Sequence, residues 1–144
     1  MIGKVTLLLL LFPFSLSAQN AYSAESLELD KQGKLYGTLL VPAGKKKTNL
    51  VLFIAGSGPT NRDGNSAGSK NNCLKLLGTH LAENGIASFR YDKRGIGESK
   101  MPGLKEDSLR FDDFVADASA WVNLLKADKR FKKIIVAGHS EGSL

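Results

Sequence analysis

A short apolar run ends directly in the pentapeptide Gly138-His139-Ser140-Glu141-Gly142. The run, 133–137, is rich in β-branched side chains, as a fully buried strand is. A strand that turns sharply at Ser140 leaves little space, so side chains two residues before and after the serine would collide with neighbouring backbone. The two glycines therefore predict a strained turn after a buried strand, with a helix to follow.

Apolar patterning and glycine or proline punctuation divide the preceding chain into regular elements. Residues 26–30 and 34–41 are predicted as two strands of a hairpin, because Lys31-Gln32-Gly33 is a short loop with a flexible glycine. The other predicted elements are a strand over 49–55, a loop over 56–70, a helix capped by Asn71 or Asn72 and ended by Gly85, a strand over 86–92, a loop over 93–109 and a helix over 112–127. This order predicts an α/β fold whose sheet is mostly parallel, with an antiparallel N-terminal hairpin and flanking helices.

Each predicted helix has one apolar face. On the first helix it carries Leu74, Leu77 and Leu81, and on the second Phe114, Val115, Ala118, Val122 and Leu125. Cys73 falls on the apolar side of the first helix and is the chain's single cysteine. We therefore interpret it as a small buried hydrophobe rather than a catalytic thiol.

The first 18 residues have the outline of a secretory signal peptide. They combine Lys4, an apolar run over 5–14 and small residues at 15, 17 and 18. Cleavage after Ser17 and after Ala18 both remain open, and an uncleaved anchor is the alternative, against which Pro13 and the short apolar length count. Export to the periplasm or the medium is therefore expected, with no stable membrane span once the leader is removed.

The chain is basic, with 20 Lys and Arg against 14 Asp and Glu, but the charge is dispersed. The one cluster, Lys45-Lys46-Lys47, follows Pro42 in a predicted turn and has no interleaved aromatic residues. This pattern is typical of a solvated loop, so nucleic acid is not a predicted partner.

Acyl transfer requires a nucleophile, a base, a group that orients the base, and donors for the oxyanion. Ser140 is the candidate nucleophile. The backbone N–H of Glu141, directly after it, is one predicted oxyanion donor. The second is predicted in the glycine-containing loop after the third strand, where the Ser57 N–H is the candidate and the Gly58 N–H the alternative.

Three motifs, taken in order, resemble the N-terminal half of the α/β-hydrolase fold. They are Gly56-Ser57-Gly58-Pro59 with Asn61-Arg62-Asp63-Gly64, then Tyr91-Asp92-Lys93-Arg94-Gly95-Ile96-Gly97-Glu98-Ser99, then Gly138-His139-Ser140-Glu141-Gly142. The similarity is to exported hydrolases of the serine aminopeptidase-like and dienelactone hydrolase-like kind. One departure is Ala55, where many relatives carry histidine.

The resemblance implies a serine hydrolase that forms an acyl-enzyme on Ser140. Its substrate would be a small acyl compound, in the first instance a carboxylic ester, with thioesters and peptide amides left open. The resemblance also implies that Gly138 and Gly142 shape the turn, and that Asp92, Arg94 and Asp63 are structural. No cofactor or metal is predicted, since the chain has neither a phosphate-loop pattern nor paired histidines on a helix.

The base is missing from the predicted site. His139 adjoins Ser140 on a tight turn and points away from it, and His80 lies on the first helix. In this fold the chain order is serine, acid, histidine, yet only Glu141, Gly142, Ser143 and Leu144 follow the serine. We therefore expect residues 19–144 to be a partial domain, truncated just after the turn, that is inactive and weakly stable by itself. The alternative is a binding module or pseudo-enzyme on the same fold; oligomeric state is not indicated.

Overall fold

A computed structural model describes residues 20–144. The predicted signal peptide, 1–18, lies outside the described residues. The regular elements are β1 (Tyr22–Asp30), β2 (Lys34–Pro42), β3 (Thr48–Ile54), α1 (Cys73–Glu83), β4 (Ala87–Tyr91), α2 (Phe111–Ala127) and β5 (Phe131–Gly138), with short 3₁₀ segments at Gly97–Ser99, Glu106–Ser108 and Ser140–Ser143. Every predicted strand and helix is therefore present in the predicted order.

The five strands form one sheet in the order β1-β2-β4-β3-β5. β1 and β2 pair antiparallel, β2 joins β4 antiparallel, and β4, β3 and β5 run parallel. The hairpin turns at Gln32 and Gly33, both with positive φ. The predicted α/β architecture is thus confirmed, although β1 begins at Tyr22 rather than Ser26.

The two helices cover opposite faces of the sheet. Alternate side chains of a strand point to opposite faces. Leu50 and Leu52 of β3 pack in the cluster that contains Trp121 of α2, whereas Phe53 packs in the cluster that contains Leu74 of α1. The sheet is therefore the middle layer of three.

The buried face of α2 agrees in part with the predicted one, since Leu125 is buried and Ala118 and Val122 pack against the same cluster. The structure buries Asp117, Trp121 and Leu125, whereas Val115 is 47% exposed. Trp121 packs against the Phe89 ring with centroids 4.8 Å apart, so this aromatic contact sets the helix rotation. Asp117 was missing from the predicted face because a carboxylate is buried only when it is paired.

The start of α1 has two asparagines with different functions. Asn72 is the N-cap residue, but its side chain makes no capping hydrogen bond; the Asn71 carboxamide oxygen instead accepts from the Cys73 N–H at 2.9 Å. Asn72 has a left-handed backbone, φ +54, and its side chain accepts from Asn65. Cys73 is half-buried against the core, and Leu77, predicted on the apolar face, is 53% exposed.

β5 is an edge strand of the described sheet. Ile135 and Val136 are 47% and 51% exposed. The prediction of a fully buried strand is therefore wrong for these residues, while the expectation of an exposed edge is confirmed. Burial of a parallel strand requires cover on both faces, and neither helix covers these two side chains.

Candidate active site

The carboxyl ends of β3 and β5 lie side by side. Ile54 pairs with Gly138 in the parallel register, and the His139 N–H donates to the Ile54 carbonyl at 3.0 Å. From β3 the chain passes through α1 to β4, which neighbours β3 on one side, whereas β5 neighbours β3 on the other side. The two helices lie on opposite faces of the sheet. Such a switch point opens a crevice at the carboxyl ends of the strands, where open α/β sheets place their ligand sites.

Ser140 stands at this edge in a strained conformation. Its φ of +53° lies in the left-handed region, and its side chain is exposed. A non-glycine residue held in that region costs of order 1–3 kcal/mol and persists only where surrounding structure fixes it. Here the Gly142 N–H bonds the His139 carbonyl at 3.0 Å, which closes the turn around the serine.

Gly138 and Gly142 have no room for a side chain. A Cβ on Gly138 would overlap the Gly142 carbonyl, and a Cβ on Gly142 would lie 2.6 Å from the Ile54 oxygen and 2.8 Å from the Ala55 oxygen. The predicted collision with neighbouring backbone is confirmed at both positions. The turn therefore depends on glycine on either side of Ser140.

The loop after β3 reaches the same turn. A Cβ on Gly56 would lie 3.2 Å from the Ser140 Cβ and 3.0 Å from the His139 Nδ1. Residue 56 therefore contacts the serine turn directly, and Ser57 follows it in the chain. The oxyanion functions of the Ser57 and Glu141 N–H groups stay predictions, but the loop and turn that carry them are brought together.

Lys93 is a site residue that the sequence analysis missed. Its side chain is buried, and Nζ donates to the Gly56 carbonyl at 2.5 Å and the Gly58 carbonyl at 3.1 Å. Burial lowers the pKa of Lys93, and the negative charge of Glu141 acts in the opposite direction. The only available signal was its place beside Asp92 in the second motif, which does not specify a contact to another loop.

Asp92 connects two loops at the carboxyl end of β4. Its carboxylate accepts hydrogen bonds from the Arg62 N–H at 2.7 Å, the Arg62 Nε at 3.0 Å and the Glu98 N–H at 2.9 Å. Arg62 also pairs with the Glu98 carboxylate. Arg62, which sequence reasoning did not single out, thereby fixes the first motif to the second.

Arg94 forms a buried ion pair with Asp117 of α2. Nη2 and Nε lie 2.6 Å and 3.0 Å from the two carboxylate oxygens, and the guanidinium also donates to the carbonyls of Lys31 and Gln32. One side chain thus connects the hairpin turn, the loop after β4 and α2.

The histidines and Asp63 are all accounted for by other contacts. His80 is exposed on α1, with Nε2 3.5 Å from the Asn84 amide nitrogen, and Asp63 pairs with Arg90 at 3.2 Å. The His139 ring lies against Gly56. None of these contacts presents a base to Ser140.

A groove with a volume of about 800 Å³ lies beside the serine turn. It is lined by α2, by β5, by Glu141 to Leu144, by the end of β3 at Ile54 and Ala55, and by Lys93, whereas Ser140 and Ser57 are not part of its lining. The groove therefore borders the serine turn on the side of Glu141 and Lys93. Over the described residues, 20–144, no cluster of three or more potential metal ligands is present, and no helix is long and apolar enough to cross a membrane.

The fold is shared with solved structures. Est1E from Butyrivibrio proteoclasticus superposes with a TM-score of 0.59 at 22% identity, over 81% of this chain and 41% of its own. The α/β hydrolase GrgF from Penicillium sp. sh18 superposes with a TM-score of 0.65 at 21% identity, over 83% of this chain and 38% of its own. At these identities the likeness shows the fold.

Sequence comparison shows the family. Esterase EstD from Thermotoga maritima is 30% identical over 110 residues, which are 76% of this chain and 26% of EstD. The chain thus spans about a quarter of the length of that relative. The family model for serine aminopeptidase, S33, matches residues 67–144, more than half of the chain. With the Ser140 turn inside the matched region, the chain belongs to the S33 serine aminopeptidase family of α/β hydrolases.

Proposed function

We propose that the protein is a serine hydrolase that cleaves carboxylic esters through an acyl-enzyme on Ser140. The observation that carries the proposal is the backbone of Ser140, which is held at φ +53° between two glycines at the carboxyl end of β5. A strained turn with an exposed serine is typical of a nucleophile elbow, in which the turn presents the hydroxyl free of neighbouring side chains.

In the proposed reaction the Ser140 Oγ attacks the ester carbonyl. The N–H groups of Glu141 and Ser57 stabilise the negative oxygen that develops, each contributing about 3 kcal/mol in a preorganised site. The proton of the Ser140 hydroxyl passes to the leaving oxygen as the tetrahedral intermediate collapses and expels the alcohol, and water then hydrolyses the acyl-enzyme to the carboxylic acid and free Ser140. No general base is assigned within residues 20–144, so the activity is proposed for the protein encoded by the complete reading frame.

Esters are the proposed substrates because an alkoxide leaving group demands less of the acid catalyst than an amine does. The name of EstD, an esterase, supports the same class. Amides stay a secondary possibility, given the aminopeptidase name of the family. Comparing kcat/KM for a p-nitrophenyl ester with that for an aminoacyl p-nitroanilide distinguishes the two; we expect the ester to be preferred.

The experiment that tests the nucleophile uses the complete reading frame and a fluorophosphonate probe. We expect one label, on the peptide that contains Ser140, and hydrolysis of p-nitrophenyl butyrate. Ser140→Ala should remove both the label and the turnover, while Ser143→Ala in the same turn should retain them. Label elsewhere, or a folded protein that takes no label, contradicts the proposal, and the second result favours a non-catalytic binding module.

We also propose that residues 1–18 direct export. The composition of the leader is the support for this proposal. N-terminal sequencing of the exported protein should give Ala18 or Gln19 as the first residue, whereas an intact Met1 would contradict cleavage.

A further inference from the structure

Lys93 ties both ends of the short segment that carries Ser57. Its ammonium donates to the carbonyls of Gly56 and Gly58, on either side of Ser57, and the Phe114 ring lies 5.8 Å from Nζ. An ammonium has three donors, so two of them are used on this segment. The segment is thereby fixed to the loop after β4.

Lys93 differs from the other buried charged side chains. Arg90, Asp92, Arg94 and Asp117 each have an oppositely charged partner. Within residues 20–144, no carboxylate lies within ion-pair distance of the Lys93 ammonium. Burying a charge without an ion-pair partner is expensive, and a hydrophobic side chain of similar length would fill the space without that penalty. Packing alone therefore does not account for a lysine here.

The contact to Gly56 fixes the direction of one particular donor. The described peptide bonds are all trans, and in a planar trans peptide the carbonyl and the N–H point in opposite directions. The Gly56 carbonyl and the Ser57 N–H belong to the same peptide unit. By holding that carbonyl, Lys93 sets the Ser57 N–H pointing away from itself. The Gly58 carbonyl belongs to the peptide unit of Pro59, which has no N–H, so that contact fixes the far end of the segment.

We propose that Lys93 is a positioning residue for the oxyanion site: it holds the Gly56–Gly58 segment so that the Ser57 N–H faces the place beside Ser140 where the oxyanion forms. The inference rests on the proposed serine hydrolase function. Its support is the two carbonyl contacts, together with the closeness of Gly56 to Ser140. It also favours Ser57 over Gly58 as the donor. The Gly58 N–H belongs to the same peptide unit as the Ser57 carbonyl, and Lys93 does not hold that carbonyl. Among the described residues, the Ser57 carbonyl accepts a hydrogen bond from the Thr60 hydroxyl, at 3.2 Å.

The test is Lys93→Met in the complete protein, with Lys100→Met as the matched control, since Lys100 is an exposed lysine of the same loop. Active enzyme is counted by fluorophosphonate labelling taken to completion. We expect kcat for p-nitrophenyl butyrate to fall ten- to a hundredfold with KM nearly unchanged, because losing an oxyanion donor outright costs about 10²–10³ in kcat. Lys100→Met should match the wild type.

A second readout separates positioning from general loss of structure. The inhibition constant of a trifluoromethyl ketone, which forms the tetrahedral oxyanion, should rise by the same factor as kcat/KM falls. Lys93→Arg, which retains donors for both carbonyls, should recover part of the activity. If Lys93→Met does not fold, Lys93→Gln takes its place; its shorter amide should still lower kcat severalfold.

The two proposals fail in different ways. Absence of a label on wild-type Ser140 overturns the proposed function before any Lys93 variant is compared. A labelled wild type whose Lys93 variants keep kcat and the ketone affinity overturns the positioning role alone. A fall in melting temperature with unchanged kcat per labelled site likewise overturns it, since Lys93 would then only stabilise the fold.

Discussion

At the scale of single residues, Gly142 is limited by space and not by conformation. Its φ lies outside the left-handed region, unlike that of Ser140. Yet an added Cβ would meet two backbone carbonyls of the adjacent strand end, at 2.6 Å and 2.8 Å. Backbone atoms of a paired strand cannot move aside as a flexible side chain can.

Gly142→Ala is therefore expected to lower the free energy of unfolding by about 1–3 kcal/mol, the usual effect of overpacking. Urea denaturation measures the change. Gly68→Ala is the matched control, because a Cβ at Gly68 would meet no atom within 4 Å; it should stay within about 0.5 kcal/mol of the wild type. Equal stability of the two variants would show that the turn tolerates a side chain.

At the scale of the elements, the Arg94–Asp117 pair joins α2 to the loop after β4 and, through Arg94, to the β1–β2 turn. Arg94 follows β4, Asp117 lies within α2, and the two carbonyls that Arg94 also binds belong to the β1–β2 turn. Both side chains are almost completely buried, at 8% and 2% exposure. Removing one partner leaves an uncompensated buried charge.

We expect Arg94→Met to lower the free energy of unfolding by about 3–5 kcal/mol. The double variant Arg94→Met/Asp117→Leu should recover most of that loss, because no charge is then left unpaired. Lys129→Met, at an exposed lysine, provides the control. Thermal unfolding of all four proteins measures the effect. A double variant as unstable as the single one would show that the carbonyl contacts of Arg94, and not its charge, hold the elements together.

The order of the elements could be predicted because its signals are local. The β-branched run before Gly138 and the glycine at the β1–β2 turn each report on their own neighbourhood. Helical spacing correctly predicted Leu125 on the buried face of α2, but not Asp117 and Trp121, because the burial of these two depends on contacts with β4 and its following loop. These contacts join residues that are far apart in the sequence, so no periodic pattern in the sequence indicates them.

The same distinction separates what was predicted of the site from what was not. The strained turn at Ser140 could be predicted from the two glycines that flank it. The Lys93 contacts to Gly56 and Gly58, and the Arg62 contacts to Asp92, join loops about 30 or more residues apart in sequence. Only the sheet order brings those loops together.

At the scale of the whole molecule, the outer edge of β5 is open in the described structure. Ile135 and Val136 are about half exposed on this strand, and an unpaired apolar edge is a template for association with another chain. We expect residues 20–144, produced by themselves, to self-associate at micromolar concentration. Ile135→Lys should shift the population towards monomer, as measured by light scattering after size exclusion.

Leu124→Lys is the control for this effect, because Leu124 is similarly exposed, at 40%, but lies on α2 away from the strand edge. It should leave the self-association unchanged. If both substitutions give the same increase in monomer, general surface hydrophobicity and not the β5 edge causes the association.

The pairing of Ile54 with Gly138 also determines when the site can form during folding. β3 precedes β5 in the chain, with α1, β4 and α2 between them, and the serine turn is closed against the end of β3. Loop closure over such a separation must precede any contact that rewards it. We therefore expect Ser140 to adopt its strained backbone conformation only when β5 pairs with β3. A probe of serine reactivity would then report the formation of that strand pairing.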